Sequence, residues 1–340
     1  MVFHPAVISL YVSSALIGFM VLYACFFGVQ ILRRWDIQSG SETQLLLERK
    51  TYLVSTLLTY AFGFQLLSLF LYIFTVDHLH TFFVGAMCAA GSLFVNSYGY
   101  PALGLKVINF LLAGIWLILN YADNRGYDYP LLRKKYGFLL FLAPLILAEV
   151  VFQTSYFIGL KPNIITSCCG SLFSTDQSGF GSELAVLPSI PMKIAFYLCT
   201  ILTMASGVFY YWKGRGAYFF SSLSGITFLV TVASIISFIS VYFYELPTHH
   251  CPFCILQREY GYVGYVLYLT LLGGTIMGAG VGMLNPFRRM KSLYEVVPSI
   301  QRRLALSSVI LFLMFTMVVT SRIVFSDFIL ESALFPLGRG

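Results

Sequence analysis

Cys251 and Cys254 flank Pro252 and Phe253 in the run His249-His250-Cys251-Pro252-Phe253-Cys254-Ile255-Leu256-Gln257-Arg258, set between two long apolar stretches. A CxxC pair closes into a small, reducible disulfide, and its thiolates are nucleophiles, so thiol–disulfide exchange is the first chemistry this spacing offers. The same sulfurs, with the imidazoles of His249 and His250 in front of them, are donors for soft cations, so Cu(I) or Zn binding is the second.

More sulfur lies upstream. Met87-Cys88-Ala89-Ala90-Gly91-Ser92-Leu93-Phe94 and Cys168-Cys169-Gly170-Ser171-Leu172-Phe173 share a Gly-Ser-Leu-Phe string after a cysteine, which hints at a repeated helical hairpin. Cys88, Cys168 and Cys169 are therefore candidate exchange partners for the CxxC pair. His78 and His80, with Met87 and Cys88, form a second candidate soft-metal cluster in which the thioether favours copper. Cys25 and Cys199 fall inside apolar runs and read as small buried hydrophobes.

The elements that must position these residues are membrane helices. Of the 340 residues, 58% are hydrophobic and 10% charged, and the mean hydropathy is +0.82, too little polar surface to coat a soluble globule. The chain is expected to be all-α, a polytopic integral membrane bundle forming one transmembrane domain over 1–340. Eight apolar runs, 8–32, 52–76, 103–121, 137–160, 192–212, 217–244, 262–284 and 304–325, approach or exceed the roughly 20 residues a bilayer core requires. The run at 103–121 is short and begins beside Lys106, which leaves a seven-helix reading open.

Basic residues orient the spans. Arg33, Arg34, Arg49, Lys50, Arg125, Arg133, Lys134, Lys135, Lys213, Arg215, Arg288, Arg289, Lys291, Arg302 and Arg303 make up fifteen of the 21 lysines and arginines, and with eight spans all fall on one side. The positive-inside rule makes that side the cytoplasm and puts both termini outside. The net charge of +7 then serves topology and anionic headgroups, and no nucleic-acid motif competes for it. The first run lacks a charged region before it and a small-residue cleavage site after it, so it is expected to be retained as a helix. A bacterial plasma (inner) membrane suits this layout.

In that topology all five histidines and five of the seven cysteines fall on or near the outer face, all but His4 in outer loops 77–102, 161–191 and 245–261. The loop at 161–191 is the longest, and its glycines and prolines suit a segment that relays sulfur. The segment Cys251-x-x-Cys254-x-x-Gln257-Arg258 resembles the DsbB family of membrane thiol oxidases, whose helical-bundle fold is shared with vitamin K epoxide reductases. The resemblance implies that Cys251 and Cys254 pass electrons to a quinone, that Arg258 sits by the quinone ring, and that a periplasmic thiol or disulfide protein is the partner. Family members have four or five helices and a second cysteine pair after the quinone helix. No cysteine follows Cys254 here, so a shuttle pair would come from Cys88 with Cys168 or Cys169.

Two other classes compete. In a Cu(I)-handling protein His249, His250, Cys251, Cys254, His78, His80, Met87 and Cys88 would be the ligands and a metallochaperone the partner, although a cation such as Arg258 beside the pair opposes metal binding. In a transport or scaffold subunit the outer cysteines would only staple loops. Glu149, near the middle of the fourth run, is the candidate intramembrane site for that class, or a protonated acid bonded to a neighbouring helix. Gly274, Gly278 and Gly282 recur every four residues and predict close helix packing behind the CxxC pair. Tyr98, Tyr100, Tyr260, Tyr262 and Tyr265 read as interfacial anchors or as the lining of a quinone slot.

Overall fold

A computed structural model describes residues 4–36, 41–161, 165–166, 187–326, 328 and 330. Without water to satisfy backbone groups, lipid-exposed chain must bond to itself, and among the described residues nearly all of the apolar sequence is helix. The helices are α1 (Pro5–Arg34), α2 (Glu42–His78), α3 (Ala89–Phe94), α4 (Gly99–Asp123), α5 (Leu132–Ile158), α6 (Ser189–Lys213), α7 (Ala217–Ser234), α8 (Ser240–Tyr244), α9 (Val263–Leu284) and α10 (Val296–Phe325). A single π-helical turn, Ile235–Ile239, joins α7 to α8.

Among the described residues eight segments are long and apolar enough to cross a membrane, in line with the expected all-α polytopic fold. The third of them, α4, runs over Gly99–Asp123 and is not cut short at Lys106, so the seven-helix alternative falls away. The surface follows the solvent: Phe19 and Phe26 on α1 are 71% and 69% exposed, while Lys106, Lys135, Asp123 and Glu149 are buried.

The chain divides into two compact units. The first comprises Met1–Thr75, Asn96–Pro162 and Met283–Gln301. Here α5 packs against α1 and α4 around Ile17, Val21, Phe27, Leu139 and Leu142. Trp116 meets Phe62 edge to face at 4.9 Å and donates through Nε1 to the Lys135 carbonyl (3.1 Å). Two ion pairs are sealed inside: Lys106 Nζ to Glu149 Oε1 and Lys135 Nζ to Asp123 Oδ2, each 2.7 Å. Gln65 and Asn109 donate to the other Glu149 oxygen (2.5 and 2.6 Å), and Lys106 also donates to Ser68 (2.7 Å). Glu149 is thus a carboxylate held by Lys106 and two amides.

The second unit comprises Val76–Val95, Asn163–Gly282 and Arg302–Gly340. Small residues let its helices close: a Cβ on Gly278 would stand 2.2 Å from Ser224 Oγ, and one on Gly282 would stand 2.5 Å from Ser221. Ser308 donates to the Gly274 carbonyl (2.7 Å), so the predicted glycine row does line a helix contact.

Candidate functional site

Two segments of the second unit bring their sulfurs together. Helix α2 ends at His78, a 3-10 turn follows over Leu79–Phe82, and the chain reverses through Gly85 (φ 90°) to reach Cys88. Only glycine fits at 85, because a Cβ there would lie 2.5 Å from the Thr166 carbonyl oxygen. Cys88 is the extended residue just ahead of α3. From the other direction, Glu245 in the left-handed conformation ends α8, and the loop that follows carries His249 to Cys254.

Cys88 Sγ and Cys251 Sγ are 3.5 Å apart, and the sulfurs of Cys88, Cys251 and Cys254 all lie within 4.8 Å of one another. Cys88 and Cys251 have no exposed surface and Cys254 has 4%, so bulk water does not reach the cluster. His249 Nε2 is 3.3 Å from Cys254 Sγ, which makes it the imidazole able to share that thiol's proton. His250 turns elsewhere, its Nδ1 3.0 Å from the Ile236 carbonyl oxygen.

Buried phenols hold the loop's shape. Tyr244 donates to the Cys251 carbonyl (2.6 Å) and accepts from the Ile255 amide (2.9 Å), pinning both ends of the cysteine turn. Tyr268 donates to the Pro252 carbonyl (2.6 Å), and Gly264 packs on the Ile255 backbone so closely that a Cβ would stand 2.9 Å from it. Tyr260 packs edge to face on Tyr244 at 4.8 Å. Burial, with Cys254 and Glu259 adding, raises the Tyr260 phenol above its ordinary value.

Asp77 ties the two cysteine segments together. Its Oδ1 accepts from the amide of Ala89, the residue after Cys88 (2.9 Å), and from Gln257 Nε2 (3.3 Å), while Gln257 also donates to the Met87 carbonyl (2.9 Å). His80 Nδ1 folds back onto the Asp77 carbonyl. Nothing in the spacing of Asp77 or Tyr244 marks them in the sequence, and Gln257 stands out only as part of the run that ends in Arg258.

The remaining candidates are placed as follows. Arg258 is exposed on a 3-10 turn, Arg258–Tyr260, and His78 and Met87 are exposed as well. Glu245 pairs with Arg322 (2.9 Å). Helix α9 starts at Val263, after two 3-10 turns, so the cysteines lie ahead of its amino terminus and do not cap it. Cys168 and Cys169 lie outside the described residues, as does the second Gly-Ser-Leu-Phe string. Shortly before them, Thr166 donates its amide to the Val84 carbonyl (2.9 Å) and its hydroxyl to the Gly91 carbonyl (3.0 Å), anchoring that strand of chain beside the Cys88 segment.

A buried set of three thiols with one imidazole can do two things: exchange disulfides among its members, or hold a soft cation. Comparison of the chain with protein-family models, with curated proteins and with solved structures finds no match.

Proposed function

We propose that the protein is a membrane thiol–disulfide oxidoreductase of the DsbB-like kind, working at the periplasmic face of a bacterial plasma membrane. The 3.5 Å separation of the Cys88 and Cys251 sulfurs carries this reading, because a thiolate attacking a disulfide needs a sulfur at contact distance. With Cys251 and Cys254 joined, the Cys88 thiolate attacks Cys251 Sγ. The Cys251–Cys254 bond breaks, Cys88–Cys251 forms, and Cys254 leaves as a thiolate that takes a proton from His249. A second thiol then attacks Cys88 and releases Cys251, leaving the pair reduced by two electrons.

Cys168 and Cys169 are the candidates for that second thiol. A bound quinone would take up the two electrons and two protons of the dithiol, and Arg258, exposed on its 3-10 turn, would be the residue to hold a quinone oxygen. Every step is reversible, so the same geometry serves reduction or oxidation of a periplasmic partner protein.

The test is Cys254→Ser, which removes the resolving thiol. Under mild oxidant this variant is expected to accumulate a Cys88–Cys251 disulfide, visible in a non-reducing peptide map. A Cys251 that stays a free thiol throughout would overturn the reading.

One observation favours a second reading. At a zinc–sulfur distance of about 2.3 Å, thiolates at tetrahedral positions lie roughly 3.8 Å apart, close to the spacing of these sulfurs. Cys88, Cys251 and Cys254 would then hold Cu(I) or Zn, with His249 beside Cys254, for exchange with a metallochaperone. Stoichiometric metal in the purified protein, lost on Cys88→Ser, together with no quinone reduction, would decide for this alternative.

A further inference from the structure

Helices α6 and α7 meet at the turn Lys213-Gly214-Arg215-Gly216, whose glycines take left-handed φ values of 63° and 87°. So tight a reversal sets the two helices side by side. The Thr203 and Thr227 hydroxyls bond across the seam (2.7 Å), and a Cβ on Gly207 would stand 2.8 Å from the Phe220 ring. Next to this seam opens a groove of about 490 Å³, within the roughly 300–1,000 Å³ range of ligand pockets. Leu202, Ala205 and Phe209 of α6 and Phe219 of α7 form its apolar walls, and Arg215 stands at its basic end.

The groove has the polarity of an amphiphile. From Leu202 to Phe209 the apolar wall rises about 10 Å along α6. The Lys213 ammonium lies 5.2 Å from the centre of the Phe209 ring, which puts a second cation over one wall of the groove. Among the described residues no carboxylate pairs with either of them. Trp212 and Tyr218, both exposed, flank the turn as interfacial aromatics do at headgroup level.

We propose that this groove binds one anionic phospholipid, with the phosphate between Arg215 and Lys213 and an acyl chain along Leu202, Ala205 and Phe219. A free phosphate would leave the apolar walls bare. A choline headgroup would bring a quaternary ammonium to the two cations and forfeit part of the attraction. A net-negative headgroup uses both halves of the site, each cation contributing about a fivefold gain in affinity. The site is independent of the sulfur cluster and of whatever chemistry that cluster performs.

The experiment is native mass spectrometry of the purified full chain, titrated with phosphatidylglycerol or phosphatidylcholine. One phosphatidylglycerol should be retained in preference to phosphatidylcholine. Arg215→Gln should weaken that retention about fivefold, and Arg215→Gln with Lys213→Gln on the order of 25-fold. Ala205→Phe, at an exposed position, fills the trough without touching a charge and should weaken retention as well. Arg303→Gln, at an exposed cation that does not line the groove, should have no effect. Equal retention of the two lipids, a loss as large in Arg303→Gln as in Arg215→Gln, or displacement of the lipid by millimolar inorganic phosphate would each overturn the proposal.

Discussion

At Cys254 one imidazole stands close enough to share the thiol's proton. His249 touches that sulfur at 3.3 Å, whereas His250, its neighbour in the chain, is occupied by the Ile236 carbonyl. His249→Ala is therefore expected to slow reaction of the pair with a small disulfide by on the order of 100-fold, with His250→Ala near wild type. Stopped-flow kinetics read both, and equal effects would show that neither ring acts on the sulfur. The sequence marked the pair and both histidines but offered no way to choose between the rings, because the choice depends on a carbonyl contributed by another helix. The meeting of Cys88 with Cys251 was equally illegible: the two are 163 residues apart, and no local pattern records it.

Elements in lipid are set by hydropathy, which is why the spans were readable while their ends were not. Helix α2 begins at Glu42 and α4 at Gly99, each earlier than the apolar run inside it, since polar turns continue a helix past the hydrocarbon. Lys106 looked like a span boundary because a lone lysine is costly at depth. Its partner, Glu149, lies 43 residues on and on another helix. Removing one member of such a pair strands a buried charge, so Lys106→Met or Glu149→Gln should each destabilise the first unit by about 3–5 kcal/mol. The double variant should recover most of that loss. Thermal melts in detergent would show it, and additive losses would mean the two groups do not act as a pair.

For the whole molecule the distribution of cations makes a claim about sides. A cysteine introduced at exposed Glu259 is expected to react with a membrane-impermeant reagent in intact cells, and one at exposed Lys134 is not. Labelling at Lys134 from outside would invert the topology. Cys251 itself would not serve as an outer reporter, because it has no exposed surface. Hydropathy counts the spans, but it carries nothing about which of them share one of the two compact units; that grouping rests on small-residue contacts such as Gly278 with Ser224, which hydropathy does not weigh.

The π-helical turn at Ile235–Ile239, closed by the Ser240 amide on the Ile235 carbonyl, holds one residue more than an α-helical turn would. That extra residue phases everything after it: each residue of helix turns the chain by about 100°, so without it Tyr244 would point about a quarter-turn away. Tyr244 pins the Cys251 and Ile255 backbones, and its aim is therefore inherited from a register offset that lies below the loop it serves. Deleting Ile236 should leave a regular helix of unchanged circular dichroism while the Cys88–Cys251 disulfide no longer forms in the Cys254→Ser background. If that disulfide still forms, the loop corrects the phase by itself and the offset has no part in aligning the sulfurs.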